Sequence, residues 1–181
     1  MNLKITLLAG ALAAACGALT LAPAANAADG TITFNGKVIA PTCSVSNASG
    51  GNLSVNLPTV LATAFSGLGS TAGQTSFKLT LTGCPTSPSG IQVAAEFSGS
   101  NINSTDGNLN NTAVGGSNVE VQLADGSGTA INLSTTPAPV TATVDGSGNA
   151  TLDYKAQYYA AQASVSGGAV QTSVEYTLTY Q

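Results

Sequence analysis

The chain has 181 residues, 43% hydrophobic and only 7% charged, with four lysines against eight acids and neither arginine nor histidine. A net charge of −4 without arginine excludes a nucleic-acid footprint, since nothing could neutralise a run of phosphates, and it disfavours an anionic membrane surface. The missing histidine and arginine also remove Ser-His-Asp catalysis, histidine metal sites and arginine phosphate clamps.

Residues 1–27 read as a secretory signal. Lys4 is their one charge, residues 7–21 are dominated by Leu and Ala, and Ala25-Asn26-Ala27 supplies a small-x-small cleavage pattern before Ala28. A membrane anchor fits less well, because no charged stop-transfer flank follows. A lipid-attachment site at Cys16 lacks the usual bulky aliphatic residue three positions earlier. Residues 28–181 then suit one domain that buries roughly 70% of its unfolded surface.

Helical periodicity is absent after the signal, and short β-type runs alternate with turn clusters. The first run, residues 31–40, alternates with period two and places Ile32, Phe34, Gly36, Val38 and Ala40 on one face. It continues through Cys43-Ser44-Val45. Further runs cover residues 53–57, 76–82, 91–97, 119–123, 130–133, 140–144, 150–159 and 173–180. Between 59 and 65 the pattern allows a short helical turn. Residues 101–117 are polar and low in complexity and read as a surface loop, either a solvated connector or a binding loop. The last run places Val174, Tyr176, Leu178 and Tyr180 on one face. About nine short strands at this spacing predict an all-β sandwich. Strong strands at both ends leave edges that recruit other chains unless covered. That points to assembly more than to chemistry.

Cys43 and Cys84 remain once Cys16 leaves with the signal. An even pair in an exported chain predicts a disulfide, and a separation of 41 positions argues against a redox-active pair. Closing a loop of about 42 residues would stabilise by roughly 4 kcal/mol on the chain-entropy model. Catalytic candidates are thin. Asp145 and Asp153 could in principle hold Ca²⁺ or act on a glycoside, yet Asp125-Gly126-Ser127-Gly128 and Asp145-Gly146-Ser147-Gly148 look like hairpin turns. No enzyme, metal site or cofactor is expected.

The ordered set of motifs resembles a chaperone–usher fimbrial subunit of the type 1 major pilin family. The resemblance rests on Asn35-Gly36-Lys37-Val38, Ala40-Pro41-Thr42-Cys43-Ser44-Val45, Leu57-Pro58-Thr59-Val60, Phe77-Lys78-Leu79-Thr80-Leu81, Cys84-Pro85, Gly168 as the fourteenth residue from the end and Tyr180 as the penultimate one. It implies an incomplete immunoglobulin-like β-sandwich that lacks its final strand and is completed by a donor strand from another chain. Donor-strand complementation of pilins is a known case of strand addition. On that pattern residues 28–40 form the donor extension and 41–181 the pilin domain. Ile32, Phe34, Gly36, Val38 and Ala40 would fill a neighbour's groove, with Gly36 at a shallow point. Gly36 could also mark only a bulge. Gly168, Val174, Tyr176, Leu178 and Tyr180 would receive a chaperone or donor strand, although Tyr180 could be an ordinary edge aromatic.

Implied partners are identical or related pilins, a periplasmic chaperone, an outer-membrane usher and a tip adhesin, with export through the periplasm to a surface fimbria. A minor adaptor pilin shares these ends. A carbohydrate-binding adhesin would need a lectin domain, for which the donor-like segment just after Ala28 leaves no room. A self-contained secreted β-sandwich enzyme or inhibitor would be monomeric with no need of a partner strand.

Overall fold

The computed structural model describes residues 33, 34, 36, 38 and 43–181, in two units, Met1–Lys37 and Val38–Gln181. The signal reading, Ile32 and Ala40 lie outside the described residues. Phe34, Gly36 and Val38 are exposed, and among the described residues a Cβ on Gly36 would meet nothing within 4 Å.

Alternation of apolar with polar residues becomes strand along most of the runs described in the second unit. In chain order the strands are β1 (Ser44–Val45), β2 (Thr71–Thr82), β3 (Gln92–Ser98), β4 (Val119–Asp125), β5 (Thr141–Thr143), β6 (Ala150–Ala160) and β7 (Glu175–Tyr180), with one 3₁₀ turn at Ala62–Ala64. They form two antiparallel sheets, ordered β1-β2-β6-β4 and β5-β3-β7. This is the expected all-β sandwich, and the expected helical turn between 59 and 65 is the 3₁₀ turn. Two expected strands form no ladder. Residues 130–133 contribute a single bridge, Ala124 with Ala130, and residues 53–57 run extended outside any strand.

The register joins the layers. Phe77 faces Tyr154 across the β2–β6 ladder, and Phe97 faces Tyr176 across β3–β7. Tyr154 stacks on Phe77 at 5.5 Å and meets Phe97 edge-on at 5.2 Å, so one aromatic trio ties the two sheets together. Leu79, Leu81, Val93 and Leu152 are fully buried beside it. A second buried cluster, built on Leu109, Val121, Leu123, Leu133 and Ala156, lies further along the sandwich. Phe77 and Phe97 pack against both.

Cys43 and Cys84 are bonded, as expected. The bridge fastens the short β1 beside the end of β2, where Ser44 faces Thr82. Asp125 and Asp145 are turn residues: Asp125 Oδ1 accepts from Gly128 N and Thr129 N, and Asp145 Oδ1 accepts from Ser147 N and Asn149 N. The Ser127 hydroxyl, which also donates to Asp125 Oδ1, has the largest effect on Asp125, and Asn149 N on Asp145; these bonds hold both carboxyls below the usual range.

Candidate functional site

The core is not closed. A groove of 1390 Å³ runs between residues 48–57 on one rim and 170–178 on the other. Phe77, Leu79, Phe97, Leu123 and Ala156 form its floor. On the first rim Leu53, Val55 and Leu57 turn inward and stay half-exposed, while Ser54 and Asn56 are exposed, Asn56 at the groove's margin. On the second, Val170, Thr172, Val174, Tyr176 and Leu178 turn inward in the same half-covered way. Each rim has strand alternation, yet neither finds a partner across the gap.

One sheet edge borders this gap. β7 pairs with β3 on one side only and ends its sheet. Residues 170–174 continue the β7 alternation outside the ladder. A strand inserted between the rims would give β7 a second partner and would lay alternate side chains onto the apolar floor. Thr172 Oγ1 is buried here without a hydrogen-bond partner among the described residues, a state usually relieved by a neighbouring group. One tie crosses the gap: the Tyr176 hydroxyl donates to the Gly51 carbonyl at 2.6 Å.

Val174, Tyr176, Leu178 and Tyr180 are brought onto one inward face, as their alternation implied. The first three line the groove. Tyr180 lies beyond it, packed on the first core cluster, and burial raises its phenol against the opposing pull of a bond with the Cys43 backbone. Gly168 is placed differently. It lines an adjoining cavity of 230 Å³, and a Cβ there would stand 2.5 Å from Ser117 N and 2.6 Å from Gly116 C. Two backbones cross at this point, with Ser117 N donating to Ala169 O at 3.0 Å. Only glycine allows that approach.

The facing rim at Leu53, Val55 and Leu57, together with Val170 and Thr172, extends the site beyond the residues singled out from sequence. Their period-two pattern was visible, but nothing in it showed that the pattern had no partner. Lys78 and Asp153 sit 3.9 Å apart, both largely solvent-exposed, which contributes little. Among the described residues no cluster of three or more Cys, Asp or Glu side chains is arranged to hold a metal.

Comparison with known proteins agrees with this geometry. The FimA type-1 fimbrial protein family matches residues 57–181. The chain is 43% identical to the F17 fimbrial protein of Escherichia coli, over 98% of this chain and 99% of that one. It is 40% identical to the major fimbrial subunit SMF-1 of Stenotrophomonas maltophilia, over 90% and 99%. In fold it is similar to the P pilus rod subunit PapA, with a TM-score of 0.60, 21% identity and coverage of 78% of this chain and 100% of that one.

Proposed function

Since this chain belongs to the FimA type-1 fimbrial protein family, a family of structural fimbrial subunits, we propose that it builds an extracellular fimbria by donating residues 28–40 to the groove of another copy. The observation that carries this reading is the open groove, flanked by two extended rims with no strand between them. Phe34 and Val38, exposed here, are the apolar load such a strand would bring. Full burial of each contributes roughly 1.5–3 kcal/mol, and the β7 edge adds main-chain hydrogen bonds. Gly36 suits a point where the backbone must approach the floor closely.

Before assembly the same groove would be covered by a periplasmic chaperone lending a strand, with an outer-membrane usher passing subunits to the fibre. Likeness to a protein named as a major fimbrial subunit supports a shaft role over an adaptor.

The test is a graft. A copy of residues 29–40 joined after Gln181 through a flexible linker should give a stable monomer, whereas the ungrafted chain should polymerise or aggregate. An ungrafted chain that is monomeric with the same unfolding midpoint as the graft would refute the donor-strand reading.

A further inference from the structure

We infer that the fibre has a second contact besides the inserted strand: a charge-free pole of one subunit seats the disulfide pole of the next. The inference rests on the donor-strand reading and adds a surface to it.

The two poles are the ends of β2, a strand of 12 residues and so roughly 40 Å long. At one end Thr82 lies beside Ser44, near the Cys43–Cys84 bridge. At the other end Thr71 lies beside Tyr159. This second pole is assembled from residues 57–70, 111–119 and 160–170. Gly69 N donates to Ala160 O at 2.9 Å, and Ser117 N to Ala169 O at 3.0 Å. None of these three segments contains an Asp, Glu, Lys or Arg. The carboxylate of the adjacent Glu120 is buried and takes bonds from Asn103 and Asn108, and the neighbouring acid, Asp106, faces Glu120 and accepts from Asn108 N.

On that neutral pole three large apolar side chains stand in solvent: Leu61 is 74% exposed, Leu68 is 68% and Val114 is fully exposed. Large apolar residues exposed on segments that carry no charge mark a contact. What covers them follows from the groove. Tyr158 and Val170 line both the groove and the cavity at this pole, so the two surfaces are continuous. Both sheets are antiparallel throughout, and a donor continuing that pattern runs opposite to β7. Its residue 40 then lies at the Val170 end. From residue 40 to Cys43 the chain spans at most about 11 Å. The donor's disulfide pole is therefore held against the acceptor's charge-free pole.

The surfaces match in chemistry. Residues 83–91, which include Cys84, carry no charge. Cys84 N donates to Gly148 O, which stacks the 145–149 turn on this pole, and the turn's one acid, Asp145, is committed to its own backbone bonds. Unlike poles meeting head to tail form a heterologous contact, which propagates as an open filament.

The test separates strand uptake from pole contact. Subunit held by its chaperone is offered either a synthetic peptide of residues 29–40 or whole subunits. The double variant Leu61→Lys/Val114→Lys should take up the peptide at the wild-type rate and add whole subunits at least tenfold more slowly. Ser89→Lys, on the opposite pole, should show the same split. Wild-type fibre growth in either variant overturns the pole contact. Loss of peptide uptake in the double variant also overturns it, because the surface would then belong to the groove. Fibres from wild-type subunits that take up no peptide would refute the donor-strand reading itself, and the inference with it.

Discussion

Gly36 and Gly168 stand in different surroundings. At Gly168 the constraint lies within the chain, where a Cβ would run into the Ser117 and Gly116 backbone. At Gly36 nothing among the described residues stands within 4 Å of a Cβ, so a constraint there would come from a partner. Gly168→Val should therefore destabilise the self-complemented graft by about 1–3 kcal/mol, read as a lower denaturant midpoint. Gly36→Val should leave the chaperone-bound subunit in normal yield and block fibre growth. Normal fibres from that variant would place Gly36 outside the groove.

Glu120 supplies a pH signature. Burial raises its carboxyl, Asp106 raises it further, and bonds from Asn103 and Asn108 oppose them. The folded chain then binds this proton more readily than the unfolded one. Its contribution to stability is full below the ordinary value of 4.5 and is lost as pH rises through the raised value. Asp125 and Asp145 act in the opposite sense. Their contribution is present above the ordinary 3.8 and is lost as pH falls through their lowered values. Glu120→Gln should flatten the decline in stability from pH 4.5 upward, measured as urea midpoint against pH on the graft. A slope equal to the parent's would remove Glu120 as its source. Tyr154, pushed up to about 12 by burial against a smaller opposing effect of the Ala95 backbone, stays neutral throughout this range.

Among the elements, β1 and β7 are the two whose stability depends on something beyond their own ladder. β1 has two residues and two register pairs with β2, too few to hold an end strand unaided. The Cys43–Cys84 bridge supplies the tether. Cys43→Ala with Cys84→Ala should lower the stability of the graft by about 2–4 kcal/mol. An unchanged unfolding midpoint would show that the bridge contributes nothing and that the bonds of Ser46 and Asn47 to β2 hold β1 in place. β7 has six residues, full pairing to β3 and an open far edge. Leu178 sits mid-strand with its side chain on the first core cluster. Leu178→Asp puts a charge where both core and donor strand need apolar surface. The subunit should then be degraded in the periplasm without forming a chaperone complex. Gly36→Val, by contrast, should reach that complex. The two phenotypes separate acceptor from donor.

At the scale of the whole molecule, polar–apolar alternation and turn chemistry determined most of the architecture. Runs such as 76–82, 150–159 and 173–180 became β2, β6 and β7 because period-two patterning admits one orientation in a sheet with a buried face. The acidic turns at 125 and 145 were equally legible, since their bonds run within five residues. The disulfide followed from two cysteines in an exported chain. Other features required tertiary structure, because they depend on which elements meet. Residues 53–57 and 170–174 carry the same alternation as the laddered strands, and no local pattern says that the position between them is empty. Residues 130–133 alternate as well, yet reach only one bridge, at the free edge of β4, where Ile131 N also donates to Leu123 O. The crossing that forces glycine at 168 joins positions about fifty apart in sequence. The charge-free pole gathers three distant segments whose exposed Leu61, Leu68 and Val114 look ordinary one at a time. Sequence determines what each segment can pair with, whereas an unfilled groove is the absence of a pair, and it exists only once every other strand has found its place.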